Sequence, residues 1–225
     1  MKFRFALLSL LIITTISCKE KKKTETPSET KELSLVEKVA YKSGFENWKK
    51  INELQFTFNV DRDTSHFERT WIWEVNKNQV TSITTEDTIT YNRAKMDSVA
   101  MKTNGGFIND KYWLKAPFNL IWDEGNYTFS HQEEEIAPLS KKAMHKLTIV
   151  YGSEGGYTPG DAYDFYFEDD YLIKEWVFRK GNQPEASLVT TWEDYAEING
   201  LTLAKMHKND EGFKLYFTNI EIKTN

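Results

Sequence analysis

The chain has one cysteine, Cys18, among its 225 residues. A single cysteine cannot form a disulfide within the chain, so a folded domain must be stabilised by its buried core. After Ile16 no apolar run approaches the roughly 20 residues that a membrane-spanning helix requires. The net charge is −5. This acidic balance argues against nucleic acid as a partner, because nucleic-acid binding depends on basic patches.

Recognisable catalytic and metal-binding patterns are also lacking. The four histidines, His66, His131, His145 and His207, show no metal-ligand spacing. The acidic runs 61–63, 133–135 and 168–170 do not follow the calcium-loop pattern, and the segment 152–156 lacks the order of a nucleophile elbow. We therefore predict a protein that is not an enzyme and that has no cofactor and no metal site.

An export signal is present at the start of the chain. Lys2 and Arg4 precede an apolar run from Phe5 to Ile16, which is too short to span a bilayer as a mature helix. Ser17 then precedes Cys18. This arrangement resembles the lipobox of bacterial lipoproteins, in which the cysteine thiol receives a diacylglyceryl group and the signal is cut before the cysteine.

The lipobox resemblance implies that Cys18 is the lipidation site and the first residue of the mature protein. Lys19 follows it, in place of the aspartate that typically retains lipoproteins in the inner membrane. The resemblance therefore implies anchoring to the outer membrane, facing either the periplasm or the cell surface. Two alternatives remain open: a cleaved secretory signal with an incidental cysteine, and an uncleaved signal that forms an anchoring helix.

Three regions follow from this reading. Residues 1–17 form the signal peptide, and residues 18–32 form the lipidated cysteine and a charged, flexible tether without large apolar side chains. Residues 33–225 form one domain, because they contain no further linker, repeat or low-complexity segment. Partners are then a membrane, through the anchor, and a possible apolar ligand; protein partners are not indicated.

Within the domain, hydrophobic periodicity predicts a helix followed by many strands. Ser34 and Glu37 match a capping box, and apolar residues then recur at helical spacing to Trp48, with Gly44 as a weak point. Strict alternation follows at 54–60 and 71–75. Further strands are predicted at 79–84, 88–92, 145–151, 163–168, 172–179, 187–192, 201–206 and 212–222. Between them lie turn signals such as Asn199-Gly200.

The middle of the chain is less regular. We predict a loop at Gly105-Gly106, and then a short helix that Asn109 caps and Pro117 ends. The fold class is thus mainly β (α+β): a curved antiparallel sheet or incomplete barrel. Helices near residues 34–50 and 109–116 cover its concave face.

A family resemblance accompanies this pattern. The helix with Gly44 and Trp48 leads into Ile51-Asn52-Glu53-Leu54, and later come the segments 163–170, 172–176 and 192–195 and the turn Asn199-Gly200. The chain resembles the periplasmic lipoprotein-carrier and outer-membrane lipoprotein-receptor superfamily; the stretch 107–122 is similar to envelope lipoproteins of unknown function. The resemblance implies an incomplete antiparallel barrel with a helical lid around an apolar cavity.

Aromatic residues alternate along several strands and could line such a cavity or fill an ordinary core. The candidate walls for an acyl chain or another elongated apolar ligand are Trp71, Trp73, Phe165, Phe167, Trp176 and Phe178. Two other functions remain open: surface glycan binding, with exposed Trp or Tyr stacked on sugar rings, and a purely structural role in an envelope complex.

Overall fold

The computed structural model describes residues 32–225. The predicted signal peptide, the lipidation site Cys18 and the tether up to residue 31 lie outside the described residues. Leu33–Asn225 form one compact unit. No helix among the described residues is long and apolar enough to cross a membrane.

The first helix, α1 (Leu35–Lys42), confirms the capping box. The Ser34 backbone N–H donates to the Glu37 carboxylate at 2.7 Å, and the Glu37 N–H donates to the Ser34 hydroxyl at 3.4 Å. Gly44 then adopts a left-handed φ of +86°, and a 3₁₀ helix follows at Phe45–Lys50. A side chain at Gly44 would collide with the Gly200 carbonyl oxygen. The predicted weak point is therefore a break that lets the chain turn close to the 199–200 hairpin.

Twelve strands follow. They are β1 (Ile51–Arg62), β2 (Ser65–Glu74), β3 (Gln79–Ile83), β4 (Thr88–Asn92), β5 (Tyr127–Ile136), β6 (Ala143–Tyr151), β7 (Ala162–Phe167), β8 (Ile173–Arg179), β9 (Leu188–Thr191), β10 (Glu193–Ile198), β11 (Leu201–Lys208) and β12 (Phe213–Thr224). Every pairing is antiparallel.

The strands form two sheets that do not close into a barrel. The larger sheet has the order β10-β11-β12-β1-β2-β3-β4, and the smaller has the order β5-β6-β7-β8-β9. The chain passes from the larger sheet to the smaller between β4 and β5, and it returns to the larger sheet at Trp192, between β9 and β10. The predicted fold class, a mainly β antiparallel and open architecture with a helix packed on it, is confirmed.

Two strands were missed by the sequence analysis. β5 contains the run Glu133-Glu134-Glu135 and is exposed along nearly its whole length, and β10 is only partly buried. Both are edge strands. An edge strand that is open to water need not alternate apolar and polar residues, so the periodicity that identifies inner strands is absent.

The long helix α2 (Ser98–Trp122) corrects the prediction for the middle of the chain. The predicted loop at Gly105-Gly106 is wrong, because both glycines lie inside α2. The helix predicted from Asn109 is present but longer than expected, since Asn109 lies within α2 and Pro117 does not end it. The backbone departs from helical geometry at Lys115 (φ −137°, ψ 26°) and then resumes. Pro117 thus bends the helix, because its ring and its missing N–H disturb the preceding turn.

Tertiary contacts hold α2 in the helical state. A Cβ at Gly106 would lie 2.7 Å from the Arg69 guanidinium, so the glycine gives that side chain room against the helix. One turn later, Asp110 binds the same guanidinium. The helix also contacts both sheets: Phe107 packs on Trp71, with ring centroids 5.4 Å apart, and Trp113 packs on Trp176 at 4.6 Å.

Candidate functional site

An aromatic cavity of about 410 Å³ lies between α2 and strands of both sheets. The residues that line it are Phe58, Val60 and Arg62 of β1, Asn109, Tyr112 and Trp113 of α2, Tyr157 and Thr158 of the β6–β7 loop, Tyr163 of β7, Trp176 and Phe178 of β8, Leu188 of β9, and Phe213 and Leu215 of β12. Most of this wall is apolar or aromatic. We call this site the aromatic cavity.

The strand registers explain how these side chains meet. Val60 is paired with Leu215 and Arg62 with Phe213 across β1 and β12, so all four point to one face. In the smaller sheet, Tyr163 is paired with Phe178. On α2, Asn109, Tyr112 and Trp113 have the i, i+3, i+4 spacing of one helix face.

Ring contacts fix the shape of the wall. Tyr157 stacks on Tyr112 with ring centroids 3.7 Å apart and an interplanar angle of 3°, so the β6–β7 loop lies against the helix. Tyr163 stacks on Phe178 at 5.3 Å, and its hydroxyl is 2.6 Å from that of Thr158. Burial raises the pKa of the Tyr157 and Tyr163 phenols well above 10. Both stay neutral at physiological pH, so they add no charge to the wall.

The structure divides the six aromatic residues predicted to line a pocket. Trp176 and Phe178 line the aromatic cavity. Trp71 and Trp73 instead pack on Phe107 of α2, and Phe165 and Phe167 are fully buried in the core. Binding of a ligand by any of the six stays a prediction.

The sequence analysis missed several wall residues. They are Tyr112 and Trp113 of α2, Tyr157 of the loop, and Phe213 and Leu215 of β12. The spacing of Asn109, Tyr112 and Trp113 was a usable signal, because it places all three on one helix face. Tyr157 carries no such signal, since it lies in a loop between glycines.

A buried polar cluster lies behind the cavity on α2. The Asp110 carboxylate, 1% exposed, accepts hydrogen bonds from the Arg69 guanidinium at 2.7 and 3.1 Å and from the Trp71 indole at 2.8 Å. Asn109 donates to its other oxygen at 3.1 Å. Desolvation raises the pKa of Asp110, and the Arg69 charge and the hydrogen bonds oppose that rise. These hydrogen bonds either join α2 to β2 or lie within α2, so the cluster fixes α2 on β2.

Lys115 is fully buried in a box of four aromatic rings. Its Nζ lies 2.9 Å from the ring centroid of Trp48, 4.3 Å from that of Phe118 and 4.6 Å from that of Trp122, and Trp73 completes the box. The Nζ has no hydrogen-bond partner among the described residues. Burial lowers the pKa of Lys115 well below 10.5, with Lys111 adding to the effect. This amine has no access to a substrate, because the side chain is sealed from solvent.

Among the described residues, no histidine side chain is hydrogen-bonded to a Ser, Thr or Cys side chain. His207 is buried between Trp113 and Trp192, and burial lowers its pKa to about 3, so it supports the cavity wall as a neutral ring. His131 and His145 are 3.1 Å apart at their ring nitrogens, and His145 also contacts Asp169 at 3.1 Å. Within residues 32–225, no group of three or more His, Cys, Asp or Glu side chains has the arrangement of a metal site.

No family model matches the chain, and no curated protein matches it in sequence. Among solved structures, it is similar to a LolA superfamily protein from Nitrosomonas europaea, with a TM-score of 0.52 and 8% identity; the match covers 86% of this chain and 96% of that one.

Two further structures match less well. A DUF1329 family protein from Desulfovibrio piger gives a TM-score of 0.47 at 10% identity and covers 85% of this chain and 94% of that one. A putative outer membrane lipoprotein-sorting protein domain from Vibrio parahaemolyticus gives 0.44 at 12% identity, with 83% and 94% covered. The match to the Nitrosomonas europaea structure shows that the described domain has the fold of that LolA superfamily protein, as the sequence resemblance implied.

Proposed function

We propose that this chain is an outer-membrane-anchored lipoprotein whose domain holds a lipid acyl chain, or a similarly elongated apolar ligand, in the aromatic cavity without catalysis. The observation that carries the proposal is the cavity itself: about 410 Å³ between α2 and both sheets, with mainly aromatic walls. Ligand pockets in proteins commonly measure about 300–1,000 Å³ and have mostly apolar linings with few polar groups.

The expected gain in free energy is sufficient for binding. A ligand that buries about 300 Å² of apolar surface gains roughly 7 kcal/mol before the cost of ordering is subtracted. The walls are held by ring contacts such as Trp113 with Trp176, so little reorganisation is needed. A gain of about 7 kcal/mol corresponds to a Kd of about 10 μM before any cost is subtracted, so the expected affinity is weaker than about 10 μM.

The distribution of aromatic side chains favours this function over glycan binding. Stacking on a sugar ring at the surface needs an exposed Trp or Tyr face. All seven tryptophans and eleven tyrosines lie within residues 32–225, and each is buried or half-buried. The aromatic surface is therefore directed inward, toward the core and the cavity.

The ligand proposal is tested with the full chain carrying Cys18→Ser, so that no acyl group of its own competes. A fluorescent fatty acid should bind saturably. Phe178→Leu should weaken binding roughly two- to tenfold, because an aromatic contact contributes about 0.5–1.5 kcal/mol. Phe129→Leu is the matched control: Phe129 lies in the same sheet, is 50% exposed and does not line the cavity.

Equal affinities of the Phe178→Leu and Phe129→Leu variants would place the probe outside the cavity. Absence of saturable binding by the parent chain would contradict the proposal and leave the structural role as the remaining function. Circular dichroism of each variant shows that the fold is kept.

The anchor is proposed on the sequence alone, from Cys18 and the segment before it. In cells, Cys18→Ser should leave the protein unprocessed or release it from the membrane fraction, because two or more acyl chains give stable attachment and none would remain. Intact-mass measurement and membrane fractionation check this. Membrane retention of a Cys18→Ser protein with unchanged processing would contradict the lipid anchor.

A further inference from the structure

Arg62 is the only charged residue among the fourteen that line the aromatic cavity. It is the last residue of β1, and its side chain is exposed. Its guanidinium carbon lies 5.4 Å from the ring centroid of Phe213, which is its partner across the strands and is itself part of the wall. The cation is therefore held beside the rim and directed toward the space between the sheets.

The position of Arg62 marks the mouth of the cavity. Arg62, Leu188 and Phe213 also line a smaller adjoining groove of about 230 Å³. The apolar cavity and the outer groove thus meet at this side chain. A chain that fills the cavity has one end at this boundary, where it leaves the aromatic walls and reaches water.

The Arg62 guanidinium is not paired with an acid of the domain. Arg69 and Arg179 bind the carboxylates of Asp110 and Asp164, at 2.7 and 3.0 Å. Arg62, in contrast, has no carboxylate within ion-pair distance among residues 32–225, and its guanidinium lies against the Phe213 ring. An arginine always carries its charge and offers a planar set of donors that fits a carboxylate or phosphate.

Two acids limit the size of the group that Arg62 can bind. Asp63 and Glu211 line the outer side of the adjoining groove. Their charges repel a head with several negative charges that extends outward, but a single compact anion beside Arg62 avoids them.

We propose that the ligand of the aromatic cavity is an acyl chain with one anionic group at its end, and that Arg62 binds this group at the mouth. The inference rests on the proposed function and adds the chemical class of the head. Both a free fatty acid, with its carboxylate, and a single-chain phosphate ester, with a charge of about −1.5 to −2 at pH 7, carry one compact anionic group.

The experiment compares four probes with the same twelve-carbon chain: dodecanoate, dodecyl phosphate, methyl dodecanoate and dodecyltrimethylammonium. Isothermal titration uses the full chain carrying Cys18→Ser. Because Arg62 is exposed, its ion pair with the head and the accompanying hydrogen bonds are expected to have only a modest effect on affinity. We expect the two anionic probes to bind roughly three- to tenfold more tightly than the ester, with the difference decreasing at high salt.

Arg62→Gln should remove the preference for the anionic probes over the ester, and Arg62→Lys should keep part of that preference. Lys102→Gln, an exposed cation on α2 that does not line the cavity, is the control for net charge. The ratio of the affinities for dodecanoate and dodecyl phosphate shows whether the site prefers a carboxylate or a phosphate head.

The outcomes separate this inference from the proposed function. If the ester binds as well as the anions, or if Arg62→Gln keeps the preference, the anionic head is overturned while apolar binding stands. Tighter binding of the cationic probe would also overturn it, because the acids would then dominate the mouth. If no probe binds, the proposed function itself fails.

Discussion

Asp110→Ala is expected to lower the free energy of unfolding by about 3–5 kcal/mol, the usual effect of removing one partner of a buried ion pair. The substitution leaves the Arg69 guanidinium beside α2 and the Trp71 indole N–H without their acceptor. It also removes the contact that holds the helix at Gly106 close to β2. The loss therefore combines unpaired donors with weaker docking of α2.

Urea denaturation of the full chain measures this effect. Glu134→Ala, on an exposed position of β5, should change the free energy of unfolding by no more than about 0.5 kcal/mol. Adding Arg69→Met to Asp110→Ala should recover part of the loss, because the cation is then no longer unpaired. A cost below about 1 kcal/mol for Asp110→Ala would show that the cluster does not hold α2 in place.

Lys115→Met is expected to raise the free energy of unfolding by about 1–4 kcal/mol, the gain seen when buried charges are replaced by apolar groups. Methionine fills nearly the same volume and keeps its contacts with Trp48 and Phe118. The faces of the rings favour an ammonium group by about 2 kcal/mol when it is desolvated, but burial costs an unpaired ion several kcal/mol. Burial is therefore the larger effect, in agreement with the lowered pKa of Lys115.

The pH dependence supplies a second readout for Lys115. Burial lowers the pKa of Lys115, and it lowers that of Lys111 to about 8, so above these values the folded chain binds fewer protons than the unfolded chain. The free energy of unfolding should therefore rise as the pH increases, until the pH reaches the ordinary lysine pKa of about 10.5. Lys115→Met should make this rise smaller.

The control for Lys115 is Lys102→Met, an exposed position on the same helix. It should leave both the free energy of unfolding and its pH dependence nearly unchanged. A loss of stability in Lys115→Met would contradict the account, since it would mean that the ammonium group on the Trp48 ring stabilises the fold.

Local sequence signals were sufficient to predict the elements that interactions between neighbouring residues define. The Ser34 and Glu37 capping box lies within one turn of helix, and the alternation from Leu54 to Val60 marks one face of a central strand. These patterns depend on neighbouring residues in the sequence, so they can be read without the rest of the structure.

The helix α2 could not be predicted in the same way. Gly105-Gly106 and Pro117 are local signals against a continuous helix. The contacts that outweigh them come from β2, through Arg69 and Trp71, which are distant in sequence. Tertiary packing therefore decided the conformation of this segment.

The difference between the predicted and the observed helix also explains why only two of the six predicted aromatic residues line the cavity. Alternation shows which side chains share a face of a sheet, but not which part of that face is already covered. The predicted helix 109–116 left the region around Trp71 and Trp73 open. The observed Ser98–Trp122 helix covers it with Phe107 and leaves the space beside Trp176 and Phe178.

The most direct test of acyl binding in the aromatic cavity is a two-dimensional NMR spectrum of the tryptophan indole N–H groups, recorded with a spin-labelled fatty acid. The sample is the full chain carrying Cys18→Ser. Trp113 and Trp176 line the cavity, and Trp48 and Trp122 lie in the Lys115 box. The account predicts that the probe broadens the Trp113 and Trp176 signals first, at saturable concentrations. Broadening of Trp48 and Trp122 first, or equal broadening of all seven signals, would contradict it.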